Sequence, residues 1–279
     1  MKNIATKLYS GKSIKELVEF EKKETLDIGV DSIDKHFGFP TGYYIVVGNQ
    51  GIGKSWFALW LIRQFNTLNQ IRSVYFSLEM PEPLVRKRIL QQWSDLTKAQ
   101  LEKGDSTSKA LEMLGSDVII VDEFYPQETK YRTPKNFEEW VDEYYKHGYR
   151  SFIMDHFHEL GGASNNDSNQ RTVERWGLTF QKLCKKYPDI WLIVFAQPKS
   201  SDYKKGLLDR NSLRGSKALI DKCDYVLSLN NQIQIKGRVK ENDRGIILYL
   251  DKTRYTEQPN KCFALHFHET GNFYSQVTP

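Results

Sequence analysis

The sequence predicts an α/β fold: a mostly parallel sheet flanked by helices, with antiparallel strands at its C-terminal edge. Three observations carry this. Short, continuously apolar runs recur as YYIVVG (43–48), SVYFSL (73–78), VIIVD (118–122), SFIMD (151–155) and IWLIVFA (190–196), and strands apolar at every position are buried on both faces. Longer stretches of helical period fall between them, at 54–66, 83–92, 98–114, 137–147 and 171–187, and this alternation builds a parallel sheet through helical crossovers. After a strand at 225–229 the helices stop, and GIILYLDK (245–252) and CFALHF (262–267) follow as strands alone.

Length and composition bound the rest. A chain of 279 residues with 39% hydrophobic and 27% charged residues belongs to the globular class rather than the disordered one. No apolar run approaches the roughly 18 residues that cross a bilayer, so no membrane partner is expected. The N-terminus lacks the apolar core of a secretory signal. Cys184, Cys223 and Cys262 lie far apart with no CxxC pair, which argues against structural zinc and a disulfide framework and fits a reducing cytoplasm. A net charge of +5 admits a nucleic-acid partner without requiring one. Ile14, Leu17, Val18 and Phe20 among lysines and glutamates predict an amphipathic helix or linker over 1–26, ahead of a main domain over 27–279. That helix fits packing on a neighbouring subunit and folding back on its own domain equally well.

The first predicted strand runs directly into Gly48-Asn49-Gln50-Gly51-Ile52-Gly53-Lys54-Ser55, which satisfies G-x-x-x-x-G-K-[ST]. Glycines let the backbone wrap closely round phosphates and aim its N–H groups inward. Lys54 can reach β- and γ-phosphate oxygens, the Ser55 hydroxyl can join a Mg²⁺ shell, and the helix that carries Trp56 adds its positive N-terminal end. The loop therefore predicts binding of ATP or another nucleoside triphosphate together with Mg²⁺.

Hydrolysis needs a group that activates water and an acid on the metal side. Asp122, with Glu123 beside it, and Asp155 both end apolar strands; local pattern alone does not decide between them and leans toward Asp122 with its adjacent acid. Glu79 follows the strand at 73–78, in FSLEMPEP. Near the C-terminus, Lys252 and Arg254 stand two apart at the end of an extended run, so both side chains leave one face. Two cations presented together suit a γ-phosphate in its transition state; on spacing alone, a pair of surface cations is the favoured reading.

Taken in order, the phosphate loop, YFSLEMPEPLVRKRI (75–89), FIMDHFHELGG (152–162), VFAQPKSS (194–201), SLRGSKALIDKCDYVLSL (212–229) and YLDKTRYTEQP (249–259) resemble the motifs of the RecA-like motor of DnaB-type replicative helicases. They also resemble the helicase half of phage primase–helicases. The likeness runs from about residue 25 to 274. It implies a P-loop ATPase fold, with Glu79 as catalytic base, Asp155 as the Walker B metal acid and Gln197 as sensor of the γ-phosphate. It further implies that Arg254, partnered by Lys252, reaches into the neighbouring subunit's ATP site.

Residues 207–222 hold Arg210, Arg214, Lys217 and Lys222 around a Gly-Ser turn, suited to gripping phosphates without reading bases. The resemblance places contacts to single-stranded DNA at Arg214, Gly215, Ser216 and Lys217, with Arg210 nearby. The polar loop at 161–171 is a second candidate, or a plain connector. The expected function is an ATP-dependent helicase of DNA replication, working as a homo-oligomeric and hexameric ring with 5′→3′ polarity. A recombinase or regulatory DNA-binding ATPase is the alternative. Family members carry an N-terminal primase or helical collar, and only the segment before Asp27 is left for either. Either the companion function lies on a separate chain, such as a primase, polymerase or loader, or this chain is a reduced form; the expected setting is a bacterial or phage-infected cell or an organelle matrix.

Overall fold

The computed structural model describes residues 24–104, 117–121, 133–157, 169–203, 206–213, 217–232, 245–255 and 259–275. The expected N-terminal helix, the Asp122–Glu123 pair, most of the polar loop at 161–171 and the Arg214-Gly215-Ser216 turn lie outside the described residues. In chain order the elements are α1 (Asp31–Asp34), β1 (Gly42–Gly48), α2 (Lys54–Asn69), β2 (Ser73–Ser77), α3 (Glu82–Trp93), α4 (Lys98–Glu102) and β3 (Val118–Val121). Then come α5 (Pro134–Lys146), β4 (Ser151–Asp155), α6 (Asn169–Lys186), β5 (Trp191–Ala196), α7 (Lys217–Lys222), β6 (Tyr225–Asn231), β7 (Gly245–Thr253), β8 (Lys261–Phe267) and β9 (Phe273–Ser275).

The strands form one nine-stranded sheet in the order β3-β2-β4-β5-β1-β6-β7-β8-β9. From β3 to β6 every pairing is parallel. From β6 to β9 every pairing is antiparallel, as the change of pattern after residue 229 predicts. Successive side chains of a strand point to opposite faces, so Tyr44 and Val46 join one core and Tyr43, Ile45 and Val47 the other. On the first face α2 is covered almost all round, with residues 57–62 buried without a break, the mark of a helix enclosed by its own fold. On the second face Phe137 of α5 and Trp176 and Phe180 of α6 pack edge to face or tilted against one another.

Two features depart from the sequence expectation. Only Lys98–Glu102 of the predicted 98–114 helix is helical among the described residues, and Gly104 follows it at a φ of +82°. The short strand β9 was not anticipated, because three residues carry too little periodicity to announce a strand. Its role is to close α2. Phe273 meets Phe57 and Trp60 with ring centroids 5.3 and 5.6 Å apart. The turn before β9 is bound to α2 and α3 by polar groups: Gln92 donates to the Gly271 carbonyl at 2.7 Å, and Asn272 accepts from Arg63 at 2.6 Å and donates to the Gln92 carbonyl at 3.0 Å.

Gly271 sits at a φ of +88°, where a Cβ would lie 2.3 Å from ring carbons of Trp56. Gly271→Ala is expected to destabilise the protein by about 1–3 kcal/mol through strain and overpacking, read as a lower urea-denaturation midpoint.

Candidate active site

Four strands that stand side by side, β2, β4, β5 and β1, run parallel, so their carboxyl ends share one edge of the sheet. Open α/β sheets bind ligands at that edge. Here β1 feeds the phosphate loop, Glu79 follows β2, Asp155 ends β4 and Gln197 follows β5. The structure therefore gathers the loop and these three side chains into one constellation.

The loop's shape depends on its glycines. A Cβ on Gly48 would come within 2.9 Å of Ile52, and Gly51 and Gly53 hold φ values of +78° and +105°. Helix α2 begins at Lys54 with no side-chain cap, leaving the N–H groups of its first turn directed at the loop. Lys54 is buried and donates from Nζ to the carbonyls of Gly48 at 2.9 Å and Asn49 at 3.0 Å. Burial pushes its amine below the usual lysine range, against the pull of the Asp155 and Glu79 carboxylates. The loop's own carbonyls thus occupy the ammonium. Asn49 donates to the Tyr203 carbonyl at 3.2 Å. Ser55 is half-buried in the first turn of α2. Gln50 is exposed, and Ile52 packs against the core. The Trp56 ring packs on Gly271 and Phe267, with the Arg88 guanidinium 5.2 Å from its centroid. What Trp56 offers a phosphate is its main-chain N–H.

Asp155 is 2% exposed. Tyr75 donates to its Oδ2 at 2.7 Å, while Oδ1 is buried without a hydrogen-bond partner. Burial, and then the neighbouring Asp155 charge, push the Tyr75 phenol well above its usual range, so it stays a donor. An unpartnered buried carboxylate oxygen is costly, and a hard cation or its water shell is the chemistry that satisfies it. Among the described residues no group of three or more His, Cys, Asp or Glu side chains could hold a metal by itself. Mg²⁺ in phosphate sites is typically held through one or two protein oxygens plus phosphates and water. The rival strand β3 is the edge strand, four places from β1 in the sheet order, whereas β4 is two places away. At about 4.8 Å per place, β4 ends nearer the loop than β3 does.

Glu79 is half-exposed, and its Oε2 lies 3.0 Å from Nδ1 of His156. The other ring nitrogen of His156 is 3.1 Å from Nε2 of Gln197. Sequence reasoning missed His156; the only signal was its place directly after Asp155 in FIMDHF.

Lys252 and Arg254 do not join this cluster. Thr253 pairs with Tyr225 and Tyr225 with Tyr44, at the start of β1, while the phosphate loop leaves from Gly48 at the other end. The two cations thus stand at the opposite edge of the sheet. Lys252 donates to the carbonyls of Ile220 and Cys223, and Arg254 to that of Asp221 at 3.1 Å, at the C-terminal end of α7. Cys223 is buried beneath Lys252, and burial raises its thiol to about 12, so it stays protonated. Arg210 forks onto the buried Asp251, with Nη2 3.0 Å from Oδ1, so its guanidinium braces a turn against β7. Lys217 is the first residue of α7.

If Asp155 serves the metal side, part of the stability gained from nucleotide depends on it. With MgADP at about 100 times its Kd, a gain near 2.7 kcal/mol is expected, and EDTA should shrink it. In Asp155→Asn, thermal melts with ADP should be the same with Mg²⁺ as with EDTA.

Residues 26–273 match the family described as DnaB-like helicase C terminal domain. Among solved structures, the chain resembles the ATPase domain of G40P at a TM-score of 0.79 and 17% identity, covering 99% of each chain. It also resembles a DnaB-like replicative helicase, described together with its interactions with primase, at a TM-score of 0.80 and 16% identity, covering 97% of this chain and 69% of that one. A third likeness is to KaiC-like protein PH0186 from the hyperthermophilic archaeon Pyrococcus horikoshii OT3, at a TM-score of 0.60 and 15% identity, covering 91% of this chain and 100% of that one. A comparison with curated proteins finds no significant match. At these identities the solved structures speak for the fold alone, a RecA/KaiC-like α/β sheet. The family match spans nearly all of the sequence, and by it the chain belongs to the DnaB-like helicase C-terminal domain family, whose members are ATP-dependent helicases.

Proposed function

We infer that this chain is the motor of a ring-forming replicative helicase, hydrolysing ATP between subunits to move 5′→3′ along single-stranded DNA and unwind duplex. One observation carries the inter-subunit part. Lys252 and Arg254 stand at the sheet edge opposite their own phosphate loop. They serve no nucleotide of their own chain there, while a neighbour in a ring can receive them.

The chemistry then divides between two subunits. Backbone N–H groups of residues 48–56 and the Lys54 ammonium hold the phosphates. Ser55 and Asp155 would hold Mg²⁺, which neutralises charge on the phosphoryl group when bound. Glu79, half-exposed beside the loop, orients the attacking water and takes its proton. Gln197 reports the γ-phosphate, and Arg254 of the neighbouring subunit, with Lys252 beside it, stabilises the transition state. Arg214, Gly215, Ser216 and Lys217 grip the DNA backbone. Arg210 contributes through its bond to Asp251, holding the turn that leads into that segment. Because one similar helicase is described with its interactions with primase, a separate primase is the first partner to test, followed by a polymerase or loader.

Glu79→Gln is expected to lower ATP turnover by roughly 10²–10⁴-fold while nucleotide still binds. Turnover at the wild-type rate sinks the catalytic assignment. Mixing Arg254→Ala with Lys54→Ala subunits separates cis from trans action: some interfaces collect both defects and leave others intact, so part of the activity should return. A forked duplex with a 5′ tail should be unwound with ATP and one with only a 3′ tail should not. Open filaments without unwinding favour a recombinase instead.

A further inference from the structure

One buried side chain without an assigned role touches two residues that have one. His156 follows Asp155 at the end of β4 and is 2% exposed. Its Nδ1 is 3.0 Å from Glu79 Oε2 and its Nε2 is 3.1 Å from Gln197 Nε2. An amide nitrogen donates and does not accept, so the ring nitrogen facing Gln197 must be the acceptor. In a neutral imidazole the proton then sits on Nδ1, close to a carboxylate that only accepts, although as the groups stand Nδ1 is buried without an aligned hydrogen-bond partner. One tautomer suits both neighbours, and a small turn of the Glu79 carboxylate would bring it into line. That tautomer gives the chain a direction, from Gln197 through His156 to Glu79.

We propose that His156 is a positioning residue linking the γ-phosphate sensor to the catalytic base: it holds the Glu79 carboxylate toward the attacking water and is itself held by Gln197. This rests on the reading of Glu79 and Gln197 given above. Glu79 lies on the connection after β2 and is half-exposed, and a long carboxylate side chain in that setting samples several rotamers. His156 is anchored on a buried strand end with Nδ1 3.0 Å from the carboxylate, and a hydrogen bond closed between them would have a charged acceptor and be among the stronger ones. The anchored ring therefore limits the freedom of the exposed carboxylate. Gln197, just past the end of the neighbouring strand β5, turns the ring so that Nδ1 faces Glu79. When Gln197 engages a γ-phosphate, its hold on Nε2 changes, and the base senses the nucleotide through a single side chain.

The test is ATP hydrolysis by the full chain with single-stranded DNA. His156→Ala is expected to lower kcat about 10- to 100-fold, the size of effect that misplacing a reacting group produces, while KM for ATP changes by less than about twofold. His156→Asn places an amide nitrogen where Nδ1 stands and should recover most of the loss. His156→Gln reaches only the Nε2 position and should not. In a Glu79→Gln background, which lacks the carboxylate to be oriented, His156→Ala should add nothing. Wild-type kcat in His156→Ala, equal activity of the Asn and Gln variants, or a full further drop in the Glu79→Gln background overturns the proposal. If His156→Ala does not fold, the Asn and Gln comparison decides alone. An active Glu79→Gln enzyme overturns the assignment of the base itself, whereas an inactive Glu79→Gln beside a fully active His156→Ala overturns only the role of the histidine.

Discussion

Parallel register across β2, β4, β5 and β1 brings the four strand ends to one edge, and the rest of the site depends on that constraint. A parallel sheet forces each connection to cross over through a helix, so the chemical groups come from segments far apart in sequence. Residues 54, 79, 155 and 197 meet because their strands start level and end level: Ser73 pairs with Ser151, Ser151 with Trp191 and Trp191 with Gly42. A one-residue slip in any pair would turn a core face outward, and with two enclosed aromatic cores that cost is prohibitive. Core packing therefore sets where the polar groups stand.

Much of this was legible in the sequence because it depends on local periodicity. Apolar runs gave all the strands except β9, and the glycine spacing gave the phosphate loop outright. The choice between Asp122 and Asp155 was not legible from local pattern, since both end apolar strands. Their difference lies in strand order, with β3 at the edge and β4 two places from β1, and order is a property of long-range pairing. Family resemblance points to Asp155, whose buried Oδ1 has no hydrogen-bond partner. His156 was missed for a related reason: a histidine after a strand says nothing until Glu79 and Gln197 are seen on either side of it.

Within the chain the polar groups of the site are only partly satisfied. Lys54 uses loop carbonyls and Asp155 leaves one oxygen unpartnered. A nucleotide with its metal would supply anionic oxygens for the ammonium and a cation for the carboxylate.

The far edge follows the same logic with a different partner. Lys252 and Arg254 rest on carbonyls of Ile220, Asp221 and Cys223, where the negative end of α7 favours cations. Reaching a neighbour's γ-phosphate means leaving those acceptors, and hydrogen bonds involving a charged group contribute about 1.5–3 kcal/mol each. A neighbour's γ-phosphate would offer acceptors of higher charge than a diphosphate. Helix α7 begins at Lys217, at the end of the segment proposed for DNA, so the carbonyls that hold the two cations belong to the element that follows it. Cations exchanged between a neighbour's phosphate and the end of α7 would tie the nucleotide state of one subunit to the DNA segment of the next.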